Sequence, residues 1–436
     1  MSPREEYAPT DPAAASTEPA GGQRLGSGGM VAFIALLSAF IPLSTDMYLP
    51  ALPGMARQFG VPSSQINLTL VLFFVCFSAA SLFWGPMSDR YGRRPVLLTG
   101  LAIYTLASAL CAAAPGVWWL VAWRVLQAAG GAAGAAVATA MVKDLYSGRR
   151  RESVLALVQS LVMLAPIVAP VPGALLLKVT SWRGIFWVFA AVGALTLLMG
   201  LAVRETCPER QERTVPQTLA RLAVVLRNPG FAWLLATFSL VAMPVLAYVA
   251  SSTHIYQTGF GLDKVTYSCF FAVNAAFAAV APILYLWLSR HARRTPIVTV
   301  CLATVAASGV AICLVGSMSP WLFAAAIMPA TLTAGVIRPP AANLMLEQQK
   351  EDTGSAASLM GCFGILMGSL GMLTISIDWG NTVLALGVLY VTVGLACTGL
   401  WLYSLRQPFV TRVAERHEEA VREVQAEAAE EGMPVA

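Results

Sequence analysis

The amino-acid sequence predicts an all-α membrane protein of twelve transmembrane helices, built as two six-helix bundles. Three observations predict it. Apolar residues make up 57% of the 436 and charged residues only 12%, about half the charged share of a soluble chain. The apolar residues fall in runs of roughly 18 or more, long enough for a helix to cross a hydrocarbon core of about 30 Å. A basic loop also recurs: DRYGRRPVLLTG follows the second run and SRHARRTPIVTV the eighth, so Arg93/Arg94 and Arg293/Arg294 occupy matching places. Two halves repeated in parallel produce that pattern.

Taken in chain order, residues 1–29 are rich in Pro, Ala, Gly, Ser and Thr without apolar periodicity, which predicts a disordered tail and no cleavable signal. The N-terminal bundle, 30–203, holds spans at 30–49, 66–87, 96–114, 117–142, 153–177 and 182–203. A charged linker, 204–229, leads to the C-terminal bundle, 230–404, with spans at 230–251, 265–288, 297–316, 320–346, 354–376 and 379–404. The tail 405–436 is charged, and its 411–431 stretch has a helix-forming composition with a Glu418/Arg422 pair, read as a solvated element.

Orientation follows from the cations, because basic loops stay on the cytoplasmic side. With the N-terminus inside, the outer loops keep only Arg57, Lys178, Arg183 and Lys264 of the 28 Lys and Arg. Both termini are then cytoplasmic, in a bacterial inner membrane. The net charge of +5 follows from topology and implies no nucleic-acid partner.

Several function classes are disfavoured. Seven of the eight cysteines sit inside apolar runs, Cys207 lies in the linker, and none has metal or redox spacing. His254, His291 and His417 are scattered. No metal, cofactor, P-loop or nucleophilic triad is expected, so the chain is not read as an enzyme or an ATP-driven pump.

Charges inside spans are costly and mark functional sites by default. Asp46, in LSTDMYLPALP, lies roughly 6 Å below the outer surface and Arg124, in WRVLQAAGGAAGAA, roughly 10 Å, at 1.5 Å per residue. At such depths they can interact, and they are the candidate proton-coupling pair. Arg338, in IRPPAANLM, either snorkels to the inner surface or faces a cavity. Asn67, Gln127 and Asn274 are polar within spans, and Tyr48, Phe73, Phe74 and Tyr248 are aromatic. Together with Arg338 they are candidates for a substrate cavity, against interhelical bonding or ordinary packing.

The stretch GPMSDRYGRRP, Gly85 to Pro95, resembles the loop signature between the second and third helices of the major facilitator superfamily. Gly85 suits close packing of a helix end, Gly92 a tight turn, and Asp89 a helix N-terminus. The resemblance implies a cytoplasmic latch between the halves made by Asp89, Arg90, Arg93 and Arg94 with an acid below the fourth span, here Asp144. STDMYLPALP, the Arg124–Gly134 run, WRGIFW and DTGSAASLMG are similar to the drug-exporting bicyclomycin-resistance and chloramphenicol-efflux group. That group's antiporter signature in the fifth helix appears as APIVAPVPGALLL, with Pro166, Pro170, Pro172 and Gly173 kept and two glycines replaced by alanine.

The resemblance implies a proton-coupled multidrug exporter working by alternating access, with Asp46 as proton carrier tuned by Arg124. Its partners would be a small drug-like molecule, protons and the lipid bilayer, and the chain would act as a monomer. An uptake or export carrier for one metabolite is the alternative, and a non-transporting membrane sensor a second.

Overall fold

The computed structural model describes residues 26–207, 215–349 and 353–407. These are helical nearly throughout, with no β-strand among them. Most of both expected tails and part of the linker lie outside the described residues. Among the described residues eleven helices are long and apolar enough to cross a membrane, or twelve when the bent first pair counts as one span.

In the first half α1 (Ser27–Asp46) holds Pro42, where the first span bends by 42° before continuing through a short turn into α2 (Leu52–Phe59). Proline has no N–H to give the helix and its ring collides with the carbonyl four residues back, so the bend belongs there. Then come α3 (Ser63–Tyr91), α4 (Arg93–Ala112), α5 (Val117–Leu145), a fifth span broken at Ala169 into α6 (Gly148–Val168) and α7 (Pro170–Val179), and α8 (Trp182–Ala202). The amphipathic α9 (Val215–Leu226) follows in the linker.

The second half repeats the order with its break in the seventh span, between α10 (Pro229–Ser239) and α11 (Ala242–Thr253), and a single π turn extends that span to Gly259. The remainder is α12 (Lys264–Leu288), α13 (Arg294–Val315), α14 (Pro320–Glu347), α15 (Thr353–Ile375) and α16 (Thr382–Ser404). The fifth and seventh spans are therefore discontinuous and longer than expected from hydropathy, which averages over a break at proline.

In one half α5 packs on α3, α4 and α1, and α8 on α4; in the other α13 packs on α14 and α16, α12 on α14, and α11 on α15. Across the halves α3 meets α15, and α12 meets α6 and α7. Among the described residues four hydrogen-bonded pairs join the halves directly. Asn67 Nδ2 donates to Ser376 Oγ at 3.0 Å, Gln257 Nε2 to Pro50 O at 3.3 Å, and Ser268 Oγ to Pro170 O at 3.1 Å, all toward the face opposite the basic loops. Ser78 Oγ donates to Cys362 O at 3.1 Å near mid-membrane. On the basic face α9 packs against both α3 and α15.

The outer surface of the bundle is apolar: Leu106, Leu198, Ile283 and Leu395 are exposed, as a lipid-facing surface requires. Trp118, Trp119, Trp321 and Trp379 are exposed near helix ends opposite the basic loops, where an aromatic belt meets the interface.

Candidate functional site

Asp46 ends α1 and is buried, accepting one hydrogen bond from Thr45 Oγ1 at 3.3 Å. Arg124, from α5, is completely buried. Its Nη1 donates to Ser44 O at 3.0 Å and to Gln127 Oε1 at 2.7 Å. Gln127 Nε2 donates to Ser108 Oγ at 2.7 Å, and Ser44 Oγ and Tyr104 Oη share a 2.6 Å hydrogen bond. The guanidinium carbon sits 4.2 Å from the Phe73 ring centroid, 5.0 Å from that of Tyr48 and 5.8 Å from that of Phe186. Nε and Nη2 have no hydrogen-bond partner, so three ring faces supply part of what a carboxylate would.

The expected Asp46–Arg124 ion pair is not formed. Successive residues of a helix are turned by 100°, so Ser44 and Asp46 face nearly opposite ways. Ser44 turns toward Tyr104 and the interior of its own half. The short turn that follows Asp46, Leu49–Ala51, packs against α11 and α12 of the other half.

At the basic face Arg93 donates from Nε to Asp144 Oδ2 at 2.9 Å and from Nη1 to Ser88 Oγ at 2.7 Å, and is ion-paired with Asp89. Glu205, beyond α8, accepts from the backbone N of Arg93 at 2.8 Å and of Arg94 at 3.3 Å, so it caps the start of α4. Gly92 has φ of 104°, and a β-carbon there would strike the Glu205 carboxylate. Arg90 lies over the Tyr91 ring at 5.5 Å. Arg94 Nη2 reaches Leu201 O at 3.1 Å. Apart from Glu205 in the linker, these partners belong to the first half, and among the described residues no bridge between the halves runs through this cluster. Gly85 has open space around it, not the close helix contact expected of it.

The fifth span breaks next to Pro170, with Pro166 inside α6 and Pro172 in α7. A β-carbon on Gly173 would run into the Met47 carbonyl, so α7 lies directly on the end of the first span, one residue from Asp46.

A cavity of about 460 Å³ lies among α10, α11, α14 and α15, with Phe74 of α3 closing one side. Of the side chains expected to line a cavity, only Arg338 does so together with Phe74. Tyr48, Phe73 and Gln127 are buried around Arg124. Asn67 is used between the halves. Tyr248 is buried against Phe271 and Phe323, with Asn274 beside its hydroxyl. Phe73 and Phe74 show why the sequence misled: one step along α3 carries the neighbouring ring from the interior to the cavity. Glu205 and Tyr104 escaped notice, because nothing marks either among the other acids of the linker or tyrosines of the spans.

Residues 34–372 match the family model for the Major Facilitator Superfamily. The chain belongs to that superfamily. It is a multi-pass membrane transporter of small molecules and not an enzyme. Among curated superfamily members it is 29% identical over 387 residues to Multidrug resistance protein MdtL of Klebsiella pneumoniae (strain 342), covering 88% of this chain and 96% of that one. It is 28% identical over 353 residues to a Bicyclomycin resistance protein homolog of Haemophilus influenzae, covering 77% and 87%. Among solved superfamily structures, a peptide transporter, POT, in complex with sulfate superposes with a TM-score of 0.74 at 14% identity, over 91% of this chain and 97% of that one. That likeness speaks to the fold alone.

Proposed function

We propose that this superfamily member exports small drug-like molecules in exchange for protons across a bacterial inner membrane. The observation that carries the reading is Asp46, a carboxylate buried at the end of a span, hydrogen-bonded among the described residues only by its neighbour Thr45, and followed at once by a turn that packs on the other half. A single group so placed can take a proton from one side and release it to the other when the halves rock, and each inward proton brings about 2.3 kcal/mol per 100 mV of membrane potential. The names of the relatives, a multidrug resistance protein and a bicyclomycin resistance protein homolog, favour drugs over a single metabolite.

In this reading the halves 30–203 and 230–404 rock about the central cavity, and the basic face is cytoplasmic. The Met47–Gly173 contact couples the end of the first span to the broken fifth. Arg124 holds the interior of the first half as a rigid block against which Asp46 moves. The Asp89–Arg93–Asp144 cluster presents charge to the second half when the cytoplasmic face closes.

The test is drug-driven proton release in proteoliposomes carrying wild type or Asp46→Asn. Wild type should acidify or alkalise the lumen with drug addition, according to gradient direction. Asp46→Asn should insert normally and lose the exchange, and wild-type exchange by that variant would remove Asp46 as carrier.

A further inference from the structure

The cavity of about 460 Å³ is of ligand size. Phe74, Phe238, Leu246, Met345 and Met360 are among its walls, Ser239 offers a hydroxyl, and Arg338 is the sole charged side chain on its lining. Arg338 lies nine residues from the end of α14 at Glu347, roughly 14 Å along the helix, too deep to serve the ion pairs of the basic loops. Its side chain is exposed to the cavity, and no carboxylate lies within salt-bridge distance of it among the described residues. Glu347, the acid nearest along its own helix, is already held by Arg294 at 2.7 Å. Among the described residues no ring cradles the guanidinium as three rings cradle Arg124.

An intramembrane arginine without a partner is expensive, and such residues ordinarily pair or coordinate. Four walls of aliphatic, aromatic and thioether groups with one planar, forked cation describe a receptor for a molecule with an apolar body and one oxyanion, since the fork matches carboxylate, sulfonate or phosphate geometry. We infer that the substrates of this transporter include small amphiphilic organic anions, and that Arg338 is the residue that selects for the anionic group. This rests on the export reading for the use of the site, but not for the binding itself.

The experiment uses purified full-length protein in phosphatidylcholine nanodiscs and three probes sharing one ring system: 2-naphthylacetate, 2-naphthylacetamide and 2-(2-naphthyl)ethylammonium. Equilibrium binding to wild type should favour the acetate over the acetamide by about tenfold or more, as a charge-assisted bidentate contact provides. Arg338→Gln should bring acetate and acetamide together, chiefly through loss of acetate affinity, and Arg338→Lys should keep part of the preference. Equal binding of the three probes by wild type, tighter binding of the ammonium, or a preference that survives Arg338→Gln would each overturn the inference. Displacement of the acetate by phosphatidylglycerol would reassign the cation to a lipid headgroup and overturn it as well. If Arg338→Gln does not fold, the three-probe comparison on wild type decides alone. Failure of proton-driven naphthylacetate export with binding intact would sink the export reading and leave the anion site standing. Export of a neutral drug without any anion preference would do the reverse.

Discussion

The two arginines inside the spans satisfy the same sequence rule and meet opposite surroundings. Arg124 is wholly buried in the first half, its Nη1 bonded to Ser44 O and Gln127 Oε1 and its plane set against Phe73, Tyr48 and Phe186. Arg338 opens onto an apolar cavity in the second half. An intramembrane cation therefore marks a place of consequence without saying which kind. One organises a polar interior that the first half keeps dry, and the other waits on a space that the second half leaves open.

The basic loops repeat the contrast more mildly. Arg93 pairs with Asp144 at 2.9 Å and Arg294 with Glu347 at 2.7 Å, bridges of similar placement from the start of the third helix of each half to the end of its fourth, though Arg294 is the counterpart of Arg94 in the repeat. Among the described residues Asp89 of the first half and Glu205 of the adjoining linker join Arg93; the second half has Ser289 where Asp89 stands in the repeat. The halves share a scaffold, and the extra acids collect on the one that carries Asp46.

The comparison can be broken most sharply at Arg124. Arg124→Ala orphans the Gln127 and Ser44 acceptors and empties a site walled by three rings, a cost on the order of 3–5 kcal/mol, and transport should cease. Because one nitrogen makes both hydrogen bonds, Arg124→Lys, with three donors on its ammonium, should restore much of the stability and part of the transport. Thermal unfolding in detergent beside efflux assays checks this; a stable Ala variant would show that the interior of the first half does not depend on the cation.

A smaller difference is expected between two glycines. A β-carbon on Gly130 would stand 2.5 Å from Tyr104 N and 2.6 Å from Gly100 O, backbone that cannot yield without separating α4 from α5, whereas Gly361 lines the cavity with nothing within 4 Å. Gly130→Ala should cost about 1–3 kcal/mol. Gly361→Ala should unfold at nearly the wild-type temperature and alter only ligand affinity. Equal melting of the two variants would erase the distinction between closed interior and open cavity.

The mildest effect belongs to Glu205, whose carboxylate caps α4 from the linker beyond α8, while α10, α12, α14 and α16 are capped by their own Asn228, Asp263, Ser319 and Asn381. Glu205→Ala should cost roughly 1 kcal/mol and loosen the turn at Gly92. Hydrogen exchange of the Arg93 and Arg94 amides reads it directly, and unchanged protection would mean that the cap contributes nothing.

Much of this molecule is legible in its sequence because the membrane imposes length. Runs of apolar residues must be helices there, since no water is present to satisfy a bare backbone, and the recurring Arg93/Arg94 and Arg293/Arg294 loops set the repeat. The turn at Gly92 follows from local chemistry, whereas the bond from Arg93 to Asp144, 51 residues on, was implied only by the family resemblance. The breaks at Pro42 and Pro170 are marked by the prolines themselves, although their effect on the length of the fifth span was not.

Which way each side chain faces was decided by tertiary structure alone. A helix surrounded by lipid on one side and by apolar neighbours on the other has no polar stripe to announce its buried face, and one residue of rotation exchanges Phe73 beneath Arg124 for Phe74 on the cavity wall. Two residues of rotation separate Ser44 from Asp46, so depth along the axis predicted an ion pair that direction around the axis leaves unformed. Glu205 reaches α4 only because α8 packs beside it, and Arg338 acquires a cavity only because α10, α11, α14 and α15 leave one. Spacing along a chain fixes how far a residue sits in the membrane, while the packing of twelve spans fixes what it meets there.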